Sequence, residues 1–120
     1  MTRPRFPQFV YGAGQEPDAR FSMANERTYL AWIRTSLALL AGGIALEVLG
    51  LGIHDGFRIA ASLILLTAGT VAAPLGWWSW ARYEKALRQG QPLPSTFFAL
   101  PVAAVVGLVG VLVLLGFLLA

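Results

Sequence analysis

The 120-residue chain has no cysteine and a single histidine, His54, and only 12% of its residues are charged. The first absence excludes disulfides, thiol chemistry and cysteine-ligated metal. The second leaves a conventional zinc site short of ligands, because no cluster of carboxylates stands ready around His54. The third is about half the charge of an ordinary soluble domain. No proline interrupts the chain between Pro17 and Pro74, and no charged residue follows Arg88. No serine–histidine–acid set and no glycine loop with a phosphate-binding lysine can be picked out, so an enzyme is not expected. Neither is a cofactor or a metal.

What the chain has in abundance is apolar length. Hydrophobic residues make up 57% of it, and they fall into three runs of about 20 residues, the length that crosses a hydrocarbon core. The expected fold is an all-α membrane protein with three transmembrane helices over about residues 30–52, 57–80 and 97–119. Asp18, after Pro17, is a plausible N-cap, so the first helix is expected to extend N-terminally from about residue 18. Residues 1–17, with Pro4, Pro7, Gly12, Gly14 and Pro17, are expected to form an irregular arm ahead of one three-helix membrane domain over 18–120. The apolar run starts too late and runs too long for a cleavable signal peptide.

The turn Ile53-His54-Asp55-Gly56 joins the first two spans as a tight hairpin, with His54 a solvated turn residue. Trp77, Trp78 and Trp80 close the second span as an interfacial belt, and Pro74 is placed to kink it. Residues 81–96 are expected as a polar loop. Of nine Lys and Arg residues, eight lie before or just inside the first span or after the second, and Arg58 alone lies at the other face. That asymmetry predicts an inner (plasma) membrane protein with its N-terminus and the 81–96 loop cytoplasmic and its C-terminus outside. Ala68, Ala72 and Gly76, and likewise Ala99, Ala103 and Gly107, repeat small residues at four-residue steps that permit close helix contacts.

Arg20, Arg27 and Arg34 are seven residues apart. Seven residues return a helix to nearly the same face, so the three guanidiniums form a stripe continued by Ala38, Ala41 and Ala45. One reading makes the stripe one wall of an anion path, each arginine becoming a ring in an oligomer. The other has the side chains snorkel to headgroup phosphates. Glu26 suits a structural ion pair with an arginine of a neighbouring helix or with Arg82. Glu47, inside the first span and opposite Arg34, has Arg58 as its partner across the hairpin, or else handles protons or ions. The few basic residues outside the membrane edge argue against nucleic acid as a partner.

The segment Asn25-Glu26-Arg27-Thr28-Tyr29-Leu30-Ala31-Trp32-Ile33-Arg34-Thr35 resembles the YidH-like small bacterial membrane proteins, as does Gly90-Gln-Pro-Leu-Pro. The same domain forms the membrane part of the eukaryotic vacuolar transporter chaperone, which makes and translocates polyphosphate. The resemblance covers most of 18–119 and implies an oligomer of three-helix subunits. It implies that Arg20 and Arg27 line a polyanion path with Glu26 beside them, and Arg34 and Arg82 fit the same electrostatics. The chain has no polymerase and no inositol-phosphate-sensing domain, so synthesis of polyphosphate is not implied. Inorganic anion or polyphosphate, membrane lipid and further copies of the chain are the partners implied. A non-conducting scaffold with lipid-bound arginines is the alternative.

Overall fold

A computed structural model of the chain describes residues 5–50, 52–94 and 99–120. It is all-helical among those residues: α1 (Gln8–Tyr11), α2 (Ala19–Leu49), α3 (Asp55–Arg88) and α4 (Ala99–Leu118). The last three are each long and apolar enough to span a membrane. The expected onset of the third span at Phe97, the Leu51 position of the first hairpin and residues 1–4 of the arm lie outside the described residues.

Each boundary has a local cause. The Asp18 carboxylate accepts from the Arg20 backbone N–H at 2.9 Å and caps α2. His54 is more than a solvated turn residue: its Nδ1 accepts from Gly56 N–H at 3.2 Å, capping α3. Its own backbone N–H donates to the Gly116 carbonyl of α4 at 3.0 Å. Asp55 in the first turn of α3, and Lys85 and Arg88 in the last, complement the helix dipole. α3 runs through Pro74 without a break.

α3 also continues well beyond the expected span end near Trp80. Ala81 to Arg88 contains no glycine or proline, and α2 lies alongside as a template, so the helix stops only before Gly90, where φ is +64°. At ~1.5 Å per residue, α2 and α3 are about 46 and 51 Å long, against about 30 Å for α4. The end of α4 is pinned at the hairpin by the His54–Gly116 bond. The surplus length of α2 and α3 therefore projects at the arm end, past the tryptophan belt.

α3 is the central helix. It packs against α2 and against α4, and among the described residues α2 and α4 have no Cα atoms within 8 Å of each other. The α2–α3 seam is built on glycines. A Cβ on Gly43 would meet Leu66, one on Gly69 would meet Leu40 and the Ser36 carbonyl, and one on Gly76 would meet Trp32. Lipid supplies no hydrophobic effect between helices, so such close backbone approach is what holds the pair. Across the same seam, Ser36 Oγ donates to the Gly69 carbonyl at 2.5 Å. The α4 repeat behaves differently: Ala99 and Ala103 are exposed, and nothing lies within 4 Å of a Cβ placed on Gly107.

Gly69→Ala tests this seam against helix propensity. Propensity alone would favour alanine by about 1 kcal/mol, but the new methyl would sit 2.8 Å from Leu40 Cγ and 2.9 Å from the Ser36 carbonyl oxygen. Overpacking of this kind costs about 1–3 kcal/mol, so the melting temperature in detergent should fall. A rise would show that the seam is looser than described.

Candidate functional site

The packing face of α2 carries Asn25, Ser36, Leu39 and Gly43, all buried. At the arm end this face holds a polar lock. Asn25 Nδ2 donates to the Trp80 carbonyl at 3.0 Å and to Glu84 Oε2 at 3.2 Å. Ser22 Oγ donates to Glu84 Oε1 at 2.6 Å. Glu84 is 4% exposed and has no cationic partner among the described residues. Hydrogen bonds to a carboxylate contribute about 1.5–3 kcal/mol each, so these donors keep Glu84 from being an uncompensated buried charge. The lock fixes the register of α2 on α3.

Beside it the arm folds back onto α3. Val10 is fully buried. Phe9 packs edge-on against Trp77, and Tyr11 lies against Trp80. Arg88, its side chain 5% exposed, holds the arm with three bonds, to the Tyr11 and Ala13 carbonyls at 2.9 Å and to Glu16 Oε1 at 2.7 Å. The Arg88 carbonyl accepts from Gln15 N–H at 2.8 Å. Gly14, at φ +55°, makes that approach possible, since a Cβ there would strike the Arg88 carbonyl. Arg5 pairs with Glu16 at 2.8 Å and lies over the Tyr11 ring. The expected irregular arm thus contains a helical turn and a fixed docking site.

The heptad arginines occupy the opposite side of α2. Arg20, Arg27 and Arg34 are each two residues from an inward residue (Ser22, Asn25 and Ser36), which turns them about 200° away from α3. All three are exposed. Arg20 folds onto Asp18 at 3.0 Å, whereas Arg27 and Arg34 have no ion pair among the described residues. Arg82 is exposed as well, on α3, and is not brought to the α2 stripe. Glu26 is exposed and forms no ion pair with Arg82 or any other described residue. At the far end, Arg58 Nε lies 3.8 Å from Glu47 Oε1, with Arg58 Nη1 3.2 Å from Asp55.

Neither Glu84 nor Arg88 stands out in the sequence as a site residue. Trp77, Trp80, Glu84 and Arg88 share one face only if the helix continues past residue 80. Ending the second span at the belt hides that pattern.

Three long apolar helices, a glycine-built seam and a stripe of arginines facing outward define a three-span integral membrane protein. The chain belongs to the family described as a domain of unknown function (DUF202), whose model matches residues 20–86. It is 41% identical over 103 residues to the Escherichia coli K12 inner membrane protein YidH, covering 84% of this chain and 89% of that protein. The Shigella flexneri inner membrane protein YidH matches to the same extent. An uncharacterized protein of Mycobacterium tuberculosis H37Rv is 40% identical over 80 residues, 66% of either chain. No solved structure matches the chain.

Two outcomes test this site. Asn25→Ala should destabilise the protein by about 1–3 kcal/mol by stripping a donor from buried Glu84, while Glu26→Ala next door should stay within about 0.5 kcal/mol. Thermal melts in detergent that rank the two alike would refute the lock. The arm should respond to acid. Its Glu16 carboxyl is held below the usual carboxylate range by hydrogen bonds from Arg5 and Arg88. The stabilisation it confers is therefore complete above the ordinary glutamate range and is lost as pH falls through the lowered value. Tryptophan emission from Trp77 and Trp80 should report undocking only on acidification below about pH 4, and Glu16→Gln should flatten that response.

Proposed function

We propose that the protein is a homo-oligomeric anion-translocating subunit of the inner membrane, its α2 helices arranged around a common axis with Arg20, Arg27 and Arg34 as stacked positive rings. The observation that carries this reading is the exposed arginine stripe, turned away from the subunit's own helices and, at Arg27 and Arg34, without an ion pair among the described residues. An arginine within a span costs about 2.5–3.5 kcal/mol at the helix centre. Arg34, about one turn inside, therefore favours a partner beyond its own chain, and a water-filled axis shared by several copies supplies one. The lysine and arginine asymmetry orients the arm and the α3–α4 connection toward the cytoplasm. The E. coli relative, whose name calls it an inner membrane protein, supports that membrane. Inorganic anions or polyphosphate are the proposed cargo. The chain carries translocation rather than synthesis, and no enzymatic step is assigned to it.

A second reading is favoured by a specific contact. Arg20 is already engaged with Asp18, which lowers the charge at one end of the stripe. A non-conducting scaffold, with Arg27 and Arg34 on lipid phosphates and Glu47–Arg58 as a structural pair, accommodates that.

Anion flux into liposomes loaded with reconstituted protein separates the two. Arg27→Ala/Arg34→Ala should reduce chloride or polyphosphate flux at least about tenfold, equivalent to ~1.4 kcal/mol, with the oligomer intact on sizing. Unchanged flux, or no flux from the unaltered protein, would leave the scaffold.

A further inference from the structure

Because α2 and α4 each pack on α3 and not on each other, an apolar groove runs between them with α3 as its floor. Two spaces open along it. One of about 170 Å³ lies among Trp32, Leu39, Ala68, Leu75 and Val105, and one of about 500 Å³ lies nearer the hairpin, among Leu46, Leu65 and Val113. Apolar cavities as small as about 150 Å³ stay dry and accept apolar ligands. At membrane depth the natural occupant is a hydrocarbon chain.

The floor shows what is attached to that chain. Ala68, Val71, Leu75, Trp78, Arg82 and Lys85 follow one another at steps of three and four, so they form a single face of α3. Along that face the chemistry changes from apolar to interfacial tryptophan to two cations, in the order in which a bilayer changes from acyl chain to headgroup. α4 approaches this face beside Leu75 through Pro101, and Arg82, farther along the face, is exposed. Trp78 is 50% exposed, and neither Arg82 nor Lys85 has an ion pair among the described residues. The nearby acid, Glu84, is turned toward α2 and occupied by Ser22 and Asn25. A cationic end with no competing carboxylate on its face, continuous with an apolar groove, complements an anionic phospholipid.

We infer that the α2–α4 groove binds one anionic phospholipid, an acyl chain lying along Leu75, Ala68 and Trp32 and the phosphate diester held by Arg82 and Lys85. This separates Arg82 from the α2 arginine stripe, which faces elsewhere. The site stands whether or not the protein conducts.

The test is lipid retention by the full chain. Delipidated protein in mild detergent is titrated with phosphatidylglycerol and with phosphatidylcholine of identical acyl chains, and bound lipid is counted by native mass spectrometry. Phosphatidylglycerol should be retained at least about fivefold better, the preference that even one interfacial cation confers. Arg82→Gln/Lys85→Gln, both away from the α2–α3 seam, should bring the two lipids level while the protein stays folded, with only the small drop in melting temperature that losing one charge from the helix end causes. Arg27→Ala should keep the preference. Ala68→Phe, which fills the groove, should lower retention of both lipids.

Equal retention by the unaltered protein would overturn the site, as would a preference that survives the Arg82/Lys85 change or disappears with Arg27→Ala. Displacement of the lipid by millimolar inorganic phosphate would reassign the cations to a free anion. A lipid-free dimer broken by Ala68→Phe would give the groove to a second copy. Failure here leaves the flux experiment on Arg27 and Arg34 untouched, since the two use different faces.

Discussion

The close approach of α2 to α3 is the constraint on which the rest of the molecule depends. Helices in lipid gain little from burying apolar side chains, because the surroundings are equally apolar. Contact must come from backbones brought near enough to pack and from polar groups that have nowhere else to bond. Gly43, Gly69 and Gly76 supply the first, each receiving a leucine or tryptophan from the facing helix. Ser36 on the Gly69 carbonyl, and Asn25 and Ser22 on Glu84, supply the second. Together they set which side of α2 looks inward, and so which side presents arginines outward.

That division of faces organises the charge. The acidic groups near the arm end are engaged inside the chain: Glu84 with Ser22 and Asn25, Glu16 with Arg5 and Arg88, and Asp18 with Arg20. Glu26 is the exception, exposed and unpaired among the described residues. Arg27, Arg34, Arg82 and Lys85, on two different faces, have no ion pair among the described residues. Both the proposed anion path and the proposed lipid site draw on these cations at one end of the membrane bundle. Arg88 shows the contrast. It carries the same charge on the same helix, yet it is consumed in fastening the arm.

Much of the architecture could be read directly from residue order. Hydropathy runs gave three spans, Asp18 gave the start of α2, and heptad spacing gave a continuous arginine stripe. The extent of α3 was less legible. Its last eight residues are polar enough to pass for a loop, and they are helical because α2 runs beside them. For the same reason residue order does not mark Glu84 as a lock or Arg88 as a clasp. The arm was legible only as breakers: its docking rests on the burial of Val10 and on Phe9 and Tyr11 meeting tryptophans almost seventy positions later in the chain.

The sequence by itself determined the class of the protein and the faces of its helices, because apolar length and helical periodicity are local properties that need no partner. Only the tertiary structure decided which face of α2 is covered, that Asn25 rather than Glu26 makes the interhelical contact, and that α2 and α4 stand apart over α3. Those outcomes depend on which surfaces fit at close range. The fit is set by glycines and by donors, and the donors' hydrogen-bond partners lie between 33 and 62 positions away along the chain.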